Sequence, residues 1–127
     1  MRLSVDEMRL QPELPFFLPM PEQAPARAIA QGLLQSPECD WTLPEWGWRP
    51  GYSARMLERR FEEQCTMSFG RWRQMARLLA GLLKLAGGAG VLNAALSCGY
   101  QSPSAFTKSF RDLFGCAPAS YFQAHDG

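Results

Sequence analysis

The 127-residue sequence predicts an all-α fold of about seven helices, arranged as two helix-turn-helix subdomains joined by a long central helix. Three observations predict it. No stretch alternates apolar and polar residues over a strand's length, whereas apolar residues recur at steps of three and four through most of the chain. The eleven glycines and ten prolines gather at segment edges, where they act as punctuation. A short helical pattern, a glycine turn and a capped helix occur twice, with Gly51-Tyr52-Ser53 aligning on Gly99-Tyr100-Gln101-Ser102 at a period of about 48 residues.

Residues 1–25 read as a linker remnant or N-terminal arm. Leu3, Met8 and Leu10 allow one or two helical turns at the start, too short to be stable alone. Pro12, Pro15, Pro19, Pro21 and Pro25 make residues 11–25 extended and semi-rigid.

The first subdomain is predicted over 26–67. Its first helix runs from about Glu22 to Gln35, with Ala26, Ile29, Ala30, Leu33 and Leu34 on one side, and Ser36-Pro37 ends it. Thr42-Leu43-Pro44-Glu45 is a capping box that starts a short helix carrying Leu43, Trp46 and Trp48. Pro50-Gly51 cuts that helix off, and Ser53 caps the next, Ala54 to about Gln64, with Met56, Leu57 and Phe61 as its apolar members. A short helix, a glycine turn and a second helix over 43–64 have the spacing of a helix-turn-helix.

The linking helix is predicted over 68–87, capped by Ser68 and stopped by Gly87-Gly88-Ala89-Gly90. Phe69, Trp72, Ala76, Leu79 and Leu83 form its spine, and Leu78, Leu82 and Leu85 widen the stripe, so it must be wrapped on more than one side. Arg71, Arg73 and Arg77 lie on its expected exposed edge.

The second subdomain, 88–127, starts with Val91, Leu92, Ala94, Ala95 and Leu96, then turns at Gly99-Tyr100. Ser102 caps the following helix, Pro103 takes its first position and Gly115 stops it. Phe106, Phe110, Leu113 and Phe114 fall at i, i+4, i+7 and i+8, one apolar stripe. After Pro118 a last helical turn offers Tyr121 and Phe122 to close the core.

The net charge of +1 hides an uneven distribution. Residues 1–48 hold three basic and seven acidic side chains, residues 49–77 hold seven arginines and three glutamates, and residues 78–127 hold three basic and two acidic. Positive charge therefore concentrates on the helix after the first turn and the start of the linking helix. In the second unit the face opposite the apolar stripe carries Ser104, Thr107, Lys108 and Arg111. A buried spine with a small, donor-rich outer face suits a helix lying in a DNA major groove, and it equally describes an ordinary amphipathic surface helix.

Other classes find little footing. Cys39, Cys65, Cys98 and Cys116 are 26, 33 and 18 positions apart, without metal-ligand spacing, and read as reduced and mostly buried thiols. Cys116 and His125 are a conceivable nucleophile and base, but no third group orients the histidine, so no enzyme is expected. No cofactor motif appears, since Gly87-Gly88-Ala89-Gly90 lacks a lysine and follows a helix. The apolar run Leu14–Pro21 is short and broken by proline, so no membrane partner is expected, and a cytoplasmic location is.

Two such units on one linking helix resemble the DNA-binding domain of AraC/XylS-family transcription regulators, whose units are homeodomain-like. The match is carried by Ser53, Arg55, Leu57, Arg59 and Phe61, then by Ser68-Phe69 and Arg77-Leu78. Its longest part is Val91, Ala95, Gly99-Tyr100, Ser102, Ser104, Phe106, Phe110, Phe114-Gly115, Pro118 and Tyr121. The resemblance implies double-stranded DNA as partner, RNA polymerase as a second one, and no small-molecule effector site within this chain. By position it implies Arg55, Glu58 and Arg59 as base readers in the first unit and Ser104, Thr107 and Lys108 in the second. Ser53, Arg73, Ser102 and Arg111 would position the protein on phosphates. The two reading helices are expected roughly 34 Å apart, one turn of B-DNA. An alternative is a helical interaction module, or truncated regulator, that has lost DNA binding. Three positions depart from the family pattern in the first unit: Gly47 replaces a small alanine-like residue, Pro50 a bulky aliphatic and Thr66 the usual terminal glycine. In the second unit Ala94 and Cys98 replace larger aliphatics. The first unit is therefore expected to be the less stable one.

Overall fold

The structure, a computed structural model, describes residues 18–48 and 50–120. Within them lie six α-helices and no strand: α1 (Ala26–Gln35), α2 (Leu43–Trp48), α3 (Ala54–Cys65), α4 (Phe69–Ala86), α5 (Val91–Ser97) and α6 (Pro103–Phe114). A further helical turn begins at Pro118. The expected turns in residues 1–10, and Tyr121, Phe122 and His125, lie outside the described residues.

Local chemistry accounts for the helix ends. Ser53, Ser68 and Ser102 each accept a hydrogen bond from the third backbone N–H of their helix, from Met56, Arg71 and Ala105 at 3.1 Å. Glu45 reaches back from α2 to accept from the Thr42 N–H at 2.7 Å, one half of the expected capping box. Gly51, Gly99 and Gly115 take positive φ at the two turns and at the end of α6. At the equivalent end of α3 the same left-handed conformation (φ 59°) is held by Thr66.

Helix α1 starts later than predicted. Its N-cap is Pro25, and the preceding residues run as a strap against the first unit. Leu18 and Met20 pack on its core, and the Pro19 carbonyl accepts from the Trp72 indole N–H. The Gln23 N–H donates to Gln64 Oε1 at 2.9 Å, near the end of α3.

Two hydrophobic clusters share only α4. The first gathers Ile29 and Leu33 of α1, Leu43 of α2, Leu57 and Phe61 of α3, and Phe69, Trp72 and Ala76 of α4. The second gathers Leu78 and Leu82 of α4 with Ala95, Cys98, Phe106 and Phe110. The inner face of α4 thus differs from the predicted spine: Leu79 is half-buried and Leu83 is 42% exposed, while Met75 and Gly81 are buried. Gly81 explains the shift. A Cβ there would stand 2.5 Å from the Phe106 ring and 3.1 Å from the Cys98 sulfur, so the strut and α6 meet at a residue without a side chain.

Candidate nucleic-acid interface

Helices α3 and α6 are built alike. Each follows a positive-φ glycine and a serine cap, buries two aromatic or aliphatic anchors at i and i+4 (Leu57 and Phe61; Phe106 and Phe110) and turns the remaining face outward. On α3 the exposed face presents Arg55 and Arg59, with Arg60 beside them 3.6 Å from Glu63. On α6, Ser104, Thr107, Lys108 and Arg111 line one shallow depression together with Pro103. The Lys108 ammonium is 3.0 Å from Asp112, one turn on, and both are well exposed, so the pair contributes no more than about 1 kcal/mol and leaves Lys108 free to exchange partners.

Ser53 and Ser102 use an oxygen lone pair for capping and keep a hydroxyl proton to donate. Both stand at helix N-termini, where free N–H groups and the helix dipole favour an anion such as phosphate.

Two residues expected at this surface are engaged within the fold. Glu58 is half-buried, and its carboxylate accepts from the Phe69 N–H, the first of α4, at 2.9 Å. It braces α3 against the strut and complements the positive end of α4. Arg73 donates to the Trp41 carbonyl and stacks 4.6 Å over the Phe69 ring, and burial, then the neighbouring Arg77, lowers the affinity of its guanidinium for the proton. Arg77 is likewise turned inward, while Arg71 remains exposed at the predicted edge.

A supporting network behind α6 escaped the sequence. Gln74 of α4 donates to Ser109 at 2.9 Å, and the Tyr100 hydroxyl lies 2.8 Å from the same Ser109 oxygen. Burial pushes the Tyr100 phenol above its ordinary value, and the hydrogen bond to Ser109 opposes that rise. The tyrosine after each turn glycine was the one signal for it. In the first unit that residue, Tyr52, is partly exposed, and Trp48 is 78% exposed instead of joining the core as its helical spacing suggested.

Among the described residues, no group of histidine, cysteine or acidic side chains is arranged to hold a metal, and no helix is long and apolar enough to cross a membrane. The cysteines are free thiols, with Cys65 and Cys98 buried and raised in pKa by that burial.

Two capped helices on one strut, each with a donor-rich outer face, define a tandem helix-turn-helix domain. Residues 49–124 match the family described as a helix-turn-helix domain, and the chain belongs to this family in its AraC/XylS form. It is 32% identical over 119 residues to the HTH-type transcriptional regulator RipA of Corynebacterium glutamicum, covering 94% of this chain and 36% of that protein. It is 30% identical over 117 residues to the HTH-type transcriptional regulator NimR of Escherichia coli, covering 91% and 42%. The chain thus spans roughly two fifths of the length of these relatives. Among solved structures it is similar to the DNA-binding domain of the global transcriptional factor AdpA in complex with a target DNA, with TM-score 0.67, 26% identity, and 76% and 88% of the two chains covered. It is also similar to a probable AraC family transcriptional regulator from Rhodopseudomonas palustris, with TM-score 0.62, 25% identity, and 78% and 94% covered.

Proposed function

We propose that this chain is the DNA-reading part of a transcription regulator, placing α3 and α6 in successive major-groove segments on one face of the duplex. The observation that carries this reading is the matched construction of the two helices, both capped by a serine and both anchored from behind, with Arg55 and Arg59 outward on α3 and Ser104, Thr107, Lys108 and Arg111 outward on α6. The family membership and the AdpA domain's complex with DNA support it.

Arg55 and Arg59 read bases from α3, and Ser104, Thr107 and Lys108 read them from α6. An arginine bonds guanine O6 and N7 with two donors, and a lysine reaches the same edge with one group. Ser53, Ser102 and Arg111 hold phosphates. Glu58 and Arg73 serve the fold instead, Glu58 by tying α3 to the start of α4 and Arg73 by tying α4 to the Trp41 carbonyl. The protein acts without catalysis, in the cytoplasm, with RNA polymerase as its second partner.

A salt titration tests the reading. Each phosphate neutralised by a cationic side chain releases counterions, so log K falls linearly with log salt by about 0.9 per such neutralisation. The outward cations Arg55, Arg59, Lys108 and Arg111 therefore predict a slope between about −1, if Arg111 alone neutralises a phosphate, and about −4, if all of them do. Binding without a slope would remove DNA as the partner and leave the chain a helical interaction module.

A further inference from the structure

The two units touch the strut at different places, and one side chain spans the gap. The first core uses α4 up to Ala76, and the second takes it from Leu78. Arg77 lies between. Its Nε donates to the Pro37 carbonyl at 2.9 Å and its Nη2 to the Cys39 carbonyl at 2.8 Å, both in the connection from α1 to α2 of the first unit. The same guanidinium lies against Gly99, the turn glycine of the second unit, where a Cβ would come within 2.8 Å of Arg77 Nε and 3.2 Å of the Pro37 carbonyl. Gly99 at φ 104° therefore does more than turn the chain. It leaves room for a three-way junction of first-unit loop, strut arginine and second-unit turn.

From this junction we infer that Arg77 is the positioning residue that fixes the two reading helices relative to one another, and so sets which spacing between two DNA segments the protein accepts. The inference rests on the proposed reading of DNA by α3 and α6. A helix of 18 residues alone fixes such an angle poorly, because long helices are rarely straight. A planar fork with two directed bonds to one unit, wedged against the other, restrains rotation about that helix. One added base pair moves a DNA segment by about 3.4 Å and turns it by about 34°, so a rigid clamp discriminates between spacings and a loose one does not.

The probe is a duplex recovered by wild-type protein from a random library, together with versions carrying one base pair more or fewer between its two segments, and each segment alone. For the wild type, changing the spacing costs about tenfold in affinity, comparable to a mismatched base pair. With Arg77→Ala the cost falls to about threefold or less, while affinity for each isolated segment stays within about twofold. Arg77→Lys keeps the charge and stem with a single donor group and falls between the two, which keeps the comparison usable if the alanine variant folds poorly. An unchanged spacing penalty in both variants, or isolated-segment binding that drops in step with the full site, would overturn the inference.

A measurement without DNA separates the clamp from the reading. Spin labels on non-natural residues at the exposed positions 62 and 105 report the distance between α3 and α6. The distribution is predicted to be narrow in the wild type and broadened by Arg77→Ala. Equal widths would sink the clamp even if DNA binding is found, and a failure to recover any duplex would sink the DNA reading while these widths still judge the clamp.

Discussion

At the scale of single residues, the side chains on α3 and α6 divide by whether their polar atoms are already spent. Arg55 and Lys108 stand outward, the latter 75% exposed and paired only along its own helix. Arg55→Ala or Lys108→Ala is predicted to weaken binding to a preferred duplex by about 1–3 kcal/mol and to relax preference at one position. Competition binding against single-base variants of the duplex measures both, and equal loss on every sequence would make the residue a phosphate contact. Glu58 behaves differently. Removing its carboxylate strips the Phe69 N–H of its acceptor, so Glu58→Ala lowers stability by about 1–2 kcal/mol in urea unfolding and leaves base preference unaltered. A preference lost at one base position would return Glu58 to the reading surface, where a carboxylate accepts from a cytosine amine. Sequence alone placed Glu58 and Arg73 outward because their helical spacing is that of a solvated face. Their partners are main-chain atoms 11 and 32 positions away, which no periodicity encodes.

Tyr100 offers a pH test at the same scale. Its phenol is held above its ordinary value of 10.0, so the unfolded chain loses this proton first as pH rises. Its contribution is whole below about pH 10 and is lost as pH climbs through the folded value, in the same direction as the buried Cys98 thiol. Tyr100→Phe is predicted to flatten the fall in unfolding free energy as pH rises above 10. An identical fall in both proteins would contradict the burial of this hydroxyl.

At the scale of elements, the most legible helix was α6, whose range followed from the Ser102-Pro103 start and the Gly115 stop. Helix α1 was misjudged at its start because Glu22 to Ala24 carry helical composition, yet they belong to the strap that Pro19 and Gln23 tie down. Helix α4 buries Phe69, Trp72, Ala76, Leu78 and Leu82 as its pattern predicts, and departs from it only at Leu79 and Leu83. It is apolar around most of its circumference, and only the approach of Phe106 to Gly81 reveals which side meets the second unit. The expected weakness of the first unit also changes in detail. Gly47 looked like a destabilising gap inside α2, but a Cβ there would stand 2.1 Å from the Tyr52 carbonyl. Gly47→Ala is therefore predicted to destabilise by about 1–3 kcal/mol, although alanine is the better helix former. Thr66 is the genuine departure. It holds a left-handed backbone at the end of α3, and Thr66→Gly is predicted to stabilise by up to about 1 kcal/mol. Thermal unfolding of both variants checks these signs, and stabilisation by Gly47→Ala would refute the close turn.

At the scale of the whole molecule, the design is two anchored helices on a strut, with separate cores that meet only along α4. The two units and their order were legible from the repeated glycine-tyrosine-serine turns. Their mutual orientation was not, because Arg77 looks like one more surface arginine until its loop partners, 40 and 38 positions away, are in place. Net charge near zero does not weigh against DNA, since Arg55 and Arg59 stand exposed on α3 and Lys108 and Arg111 on α6, where individual donors can reach a duplex. Whether both helices read DNA at once is decided by selection from a random duplex library. Enrichment of a two-part motif whose halves lie about 10 base pairs apart, one turn of B-DNA, is the expected outcome. Recovery of sequences without any shared motif would contradict it.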